Sequence, residues 1–157
     1  MLRSLTSLVD LINNFLPDDA KQSSGDAEQS LRLATAVLLV EVMRADQNQT
    51  DLEKQAVLKD LAERFALPPD ALEQLMVLAQ DSARTAYDYQ HFTSQINERF
   101  THDQKIALVE SLWRVAYSDA HLDAHENQVI SKIAGLLYVT HGEYIAAKMR
   151  AKSPLDD

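Results

Sequence analysis

Two parts of this chain repeat one another at a constant offset of 73 residues, and that repeat limits the fold more than any other feature. Residues 32–76 align with 105–149 without a gap. Identities fall at Ala34/Ala107, Leu39/Leu112, Val42/Val115, Asp46/Asp119, Glu53/Glu126, Gln55/Gln128, Lys59/Lys132 and Met76/Met149, eight in 45 positions. Arg32/Lys105, Leu33/Ile106, Val57/Ile130, Phe65/Tyr138 and Asp70/Glu143 are like for like. Identity alone is weak, but apolar periodicity, turn signals and carboxylates all stay in register. The repeat predicts a duplicated three-helix unit, its halves related by a pseudo-two-fold axis.

The units are helical because the chain has little else to offer. Only 3 Gly and 4 Pro punctuate 157 residues, and helix formers dominate. The expected fold is a single all-α bundle of about seven to eight helices. Leu2, Leu5, Leu8, Val9, Ile12 and Leu16 recur at helical spacing, giving an N-terminal amphipathic helix over 1–16. Residues 17–27 read as a polar linker, 28–151 as the compact domain and 152–157 as a frayed tail. Within the domain, helices are expected from Asp26 to Ala45, Asp51 to Phe65, Pro68 to Ala86 and Tyr89 to Arg99. Thr101 with Gln104 forms a capping box for a helix to Ser118, Asp123 caps one to Leu137, and Thr140 with Glu143 starts one ending near Ala151. Ala34–Met43 and Ile106–Ala116 are apolar nearly all round, so they read as the central pair. Tyr87, Tyr89, Phe92, Phe100, Trp113 and Tyr117 read as core and its edge.

A net charge of −9 argues against a nucleic-acid binder and is compatible with a cation or a basic partner. Cysteine is absent, which removes disulfides and thiolate ligands. No segment approaches the ~20 apolar residues of a bilayer span, and the N-terminus lacks a secretory pattern, so a cytoplasmic location is expected. A peripheral membrane role for the first helix stays open, although Arg3 alone falls short of the Lys/Arg-rich polar face expected of a membrane binder.

Each repeat carries an Asp-x6-Glu unit at a corner between helices: Asp46…Glu53 and Asp119…Glu126. Both carboxylates of a unit can converge across a tight corner, and facing corners would gather four. Like charges in a dry site need a cation between them, and all-oxygen ligands suit Ca²⁺, Mg²⁺ or Mn²⁺ better than Zn²⁺. The competing reading is structural: Thr50-x-x-Glu53 and Asp123-x-x-Glu126 both match a capping box. The aspartates resist that explanation, because negative charge at a helix C-terminus opposes the macrodipole. EF-hands are excluded, since position 6 holds Asp51 or Ala124 and position 12 Val57 or Ile130. His121 and His125 stand four apart across a corner, which favours a solvent-side pair over a zinc site. Glu41, alone in the first central helix, has Arg114 as its counterpart, and the two are expected to pair across the pseudo-axis. Glu41 as a further metal ligand is the rival reading.

LLVEVMRAD (Leu38–Asp46) with Glu53, YDYQHFTSQINERF (Tyr87–Phe100), and LWRVAYSD (Leu112–Asp119) with Glu126 together resemble the TerB-like, tellurite-resistance-associated family over residues 30–150. The resemblance implies a duplicated all-helical fold with acidic residues gathered at its two corners. It carries over Asp46, Glu53, Asp119 and Glu126 as metal ligands, with Glu41 a fifth. It further implies a non-enzymatic accessory protein of tellurite or stress resistance, with an unidentified protein partner. The chain departs from the pattern where Gln47 and Ala120 replace the glycine after each Asp, and where Gln49 replaces an apolar residue. Those changes favour the second corner. The alternative is a purely structural interaction module, its carboxylates serving as caps and ion pairs. An enzyme has no support, because no phosphate loop, His-Glu-x-x-His or nucleophile elbow is present.

Overall fold

A computed structural model describes residues 27–45, 51–85, 89–118, 122 and 124–156. The expected helix over 1–16 and most of the linker lie outside the described residues. Seven helices and no strand occur among those described. They are α1 (Ala27–Ala45), α2 (Asp51–Phe65), α3 (Pro69–Thr85), α4 (Gln90–Arg99), α5 (His102–Tyr117), α6 (Ala124–Leu136) and α7 (His141–Asp156). Six of the seven keep their expected bounds to within two residues. The exception is α7, which continues past Ala151 through Pro154, where the tail was expected to fray.

The 73-residue offset carries α1 onto α5, α2 onto α6 and α3 onto α7, and the packing follows it. The two most extensive pairings, α5 with α7 and α1 with α3, are counterparts. So are the pairings of α1 with α6 and α2 with α5, which exchange the halves as a two-fold relation requires. Leu39 and Leu112, Val42 and Val115, and Val57 and Ile130 are buried at equivalent places in the two halves. A surface contact repeats as well. The Arg32 guanidinium lies 5.7 Å from the Phe65 ring centre, and Lys105 Nζ lies 5.7 Å from that of Tyr138, one offset further on. Helix α4 has no counterpart among the described residues. It packs on α1 and α6, burying Thr93 and Ile96, while Asn97 Nδ2 donates to the Leu136 carbonyl (2.9 Å).

Turn chemistry accounts for the ends. Thr101 Oγ1 accepts from the Gln104 amide (3.1 Å) and Gln104 returns the bond to the Thr101 N–H (2.8 Å). Thr140 and Glu143 do the same at α7. His102 Nε2 sits 2.9 Å from the Glu143 carboxylate and so joins the two capping boxes. Helix α6 ends in a Schellman turn: the Val139 N–H donates to Ala134 O and that of Tyr138 to Gly135 O. Tyr138 takes the left-handed conformation there (φ 61°), as Ala66 does after α2 (φ 52°).

Candidate functional site

Both predicted glutamates are withdrawn from solvent. Glu53 and Glu126 stand in the first turns of α2 and α6, and each is 0% exposed. Glutamate is almost never fully buried without a compensating charge or bond, and here it occurs twice at equivalent positions. The helix N-terminus supplies part of that compensation through its dipole. Asp46 and Asp119, and the expected cap residues Thr50 and Asp123, lie outside the described residues. Among the described residues no three of His, Asp and Glu gather as a metal site, so Glu41, Glu53 and Glu126 do not form one cluster.

Glu41 occupies a different setting from the one expected. Its carboxylate accepts from Tyr89 Oη (3.4 Å) and from Arg44 Nη1 (3.3 Å), one turn along the same helix. Arg114 instead bonds Glu110 and the Ser111 hydroxyl on its own helix. The expected pairing of Glu41 with Arg114 is therefore absent, because each charge has a nearer partner on its own helix. Burial raises the Glu41 pKa above the ordinary carboxylate value, against the opposing pull of Arg44 and the Tyr89 bond. Tyr89 is raised too, by burial and then by the Glu41 charge. Beside them opens a cleft of about 370 Å³, also lined by Ala45, His125, Gln128 and Val129. This cleft reaches Ala45 at the end of α1 and the first turn of α6. His125 is exposed in the first turn of α6, and the sequence alone did not connect it to Glu41.

A second polar constellation escaped the sequence reading. Asp60 and Arg64 on α2 form a two-bond fork (3.1 and 3.2 Å), and Ser111 of α5 lies against both. Ser111, 2% exposed, donates to Asp60 (2.8 Å) and accepts from Arg64 (2.9 Å) and Arg114 (3.2 Å). A cleft of about 390 Å³ opens above it between α2 and α5. The available signal was Ser111 itself, a hydroxyl on the buried face of an otherwise apolar helix.

A family model described as tellurite resistance protein TerB matches residues 32–149. No curated protein and no solved structure matches the chain.

Proposed function

The chain belongs to the tellurite resistance protein TerB family, and from that premise we propose that it is a non-enzymatic accessory protein that binds a divalent cation at its helix corners. The observation that carries this reading is the complete burial of Glu53 and Glu126 at equivalent positions. A capping role alone does not require a charged residue, since glutamine serves as well. A buried carboxylate at a corner suits a hard cation, with Asp46 or Asp119 and the carbonyls at the preceding helix end as further oxygen donors. Such a donor set fits Ca²⁺, Mg²⁺ or Mn²⁺ better than Zn²⁺. Each corner would then hold its own ion. No described helix is long and apolar enough to cross a membrane, and we place the protein in the cytoplasm.

The test is thermal melting after EDTA treatment, followed by return of Ca²⁺, Mg²⁺, Mn²⁺ or Zn²⁺. An ion at a hundred times its Kd stabilises the fold by about 2.7 kcal/mol, so Tm rises by several degrees. Glu53→Gln combined with Glu126→Gln keeps the fold and loses the response. An unchanged Tm at millimolar metal rejects cation binding and leaves the second reading, a helical interaction module. One observation favours that alternative: the three described glutamates do not gather.

A further inference from the structure

Helix α7 turns an apolar face to solvent. Tyr144, Ala147 and Ala151 are buried on its inner side, and among the described helices it packs chiefly on α5. Its other side carries Gly142, Ile145, Ala146 and Met149, all exposed and none charged. Ile145 is 39% exposed and Met149 56%. A helix that is apolar on both sides is normally covered on both. The repeat shows how unusual this face is. On α3 the equivalents of Ile145, Ala146 and Met149 are Leu72, Glu73 and Met76. There Glu73 faces solvent as a charge, and Met76 is buried.

Gly142 points to what the face accepts. Its φ is not positive, and a Cβ placed on it would meet nothing within 4 Å beyond its own neighbours. Glycine weakens a helix, and here neither a turn nor the packing of the chain calls for it. It leaves a gap on the same face as the bulk of Met149, two turns away. A gap at one end and bulk at the other is what a face needs to fit a reversed copy of itself. The charges follow the same rule. Glu143 and Arg150, also seven residues apart, flank the stripe on one side, so in an antiparallel pair the Glu of each copy meets the Arg of the other. Both side chains keep exposed area, 33% and 50%. Each already has a bond within its chain, to His102 and to Glu110. As rim charges they fix the register, while the apolar stripe supplies the affinity.

We propose that the chain forms a two-fold dimer through the outer faces of α7, which pair antiparallel so that Met149 of each copy enters the gap beside Gly142 and Ile145 of the other. With Glu143 opposite Arg150, the axis passes beside Ala146, whose small side chain lets the helices approach. The stripe from Gly142 to Met149 spans roughly 11 Å of helix, so the contact is smaller than a standard interface and suits reversible, micromolar association. This inference is independent of the cation reading.

Sedimentation velocity of the full chain across the micromolar range is the test, with circular dichroism melts to confirm that each variant folds. The expected result is a monomer–dimer equilibrium whose Kd rises at least tenfold in Met149→Glu, with Ile145→Glu as the second variant should the first fail to fold. Gly142→Leu separates a fitted pair from a merely sticky patch. It adds apolar surface but fills the gap, so it too should raise Kd at least tenfold. The chain has no cysteine, which makes Ala146→Cys a unique thiol beside the axis. Under diamide it should form a disulfide-linked dimer at least tenfold faster than Gln74→Cys, exposed on α3. A chain that stays monomeric overturns the proposal. So does a dimer indifferent to Met149→Glu and Ile145→Glu, one strengthened by Gly142→Leu, or cross-linking at Ala146→Cys no faster than at the control.

Discussion

Tyr138 shows how a single residue can hold a fold below its best stability. It stands at the residue after the cap of a Schellman turn, where glycine is the usual occupant. An L-residue with a Cβ costs roughly 1–2 kcal/mol in that conformation. The side chain is 73% exposed, so little burial offsets the cost, and the exposed Lys105 contact returns only about 0.5 kcal/mol. Tyr138→Gly should therefore stabilise the protein by about 0.5–1 kcal/mol, raising Tm by roughly 2 °C in thermal denaturation. Glu41 gives a second case, with pH as the variable. Its folded pKa is raised, so folding favours the protonated form. That contribution is fully present below the ordinary carboxylate value of 4.5 and is lost as pH rises through the raised value. Glu41→Gln keeps an acceptor for Tyr89 without the buried charge. Its Tm should equal that of the wild type in acid and exceed it at pH 7 to 8; a lower Tm at neutral pH would show that Arg44 outweighs burial.

At the scale of elements, the helix boundaries were legible because local chemistry sets them. The Thr101 and Thr140 boxes form as their spacing predicts. Removing one hydroxyl by Thr101→Ala should cost about 1 kcal/mol, lowering Tm by roughly 2–4 °C, while Thr101→Ser should change little. What an element touches was harder to read. The repeat assigned Glu41 and Arg114 to matching places, which is correct, but a pairing of the two needed them to face each other. Their partners come from the helices themselves and from Tyr89 at the start of α4, whose position the repeat could not predict because α4 lies outside both repeated segments. The Asp60–Ser111–Arg114 network was hidden for the same reason: it joins residues about 50 positions apart on helices whose packing is set by the core. For the buried glutamates, sequence identified the positions but not the burial, since a first-turn Glu reads as an exposed cap.

For the whole molecule, the stabilising contacts run between halves more than the repeat suggests. Helix α1 meets both α5 and α6, and α2 meets α5. Leu39, Leu112, Val57 and Ile130 are each fully buried. A chain cut between residues 86 and 88 should give two fragments that show no cooperative melt alone and recover one when mixed, as followed by circular dichroism. A fragment that folds unaided would mark the first half as an independent domain.

Helix α4 also breaks the symmetry of the duplicated body. A duplicated body presents every surface twice, so a ligand that reads such a surface can bridge two copies of itself and start a network. By lying along α1 and α6 and bonding the Leu136 carbonyl through Asn97, α4 makes one half of the described body unlike the other, so the two halves do not offer a ligand interchangeable surfaces.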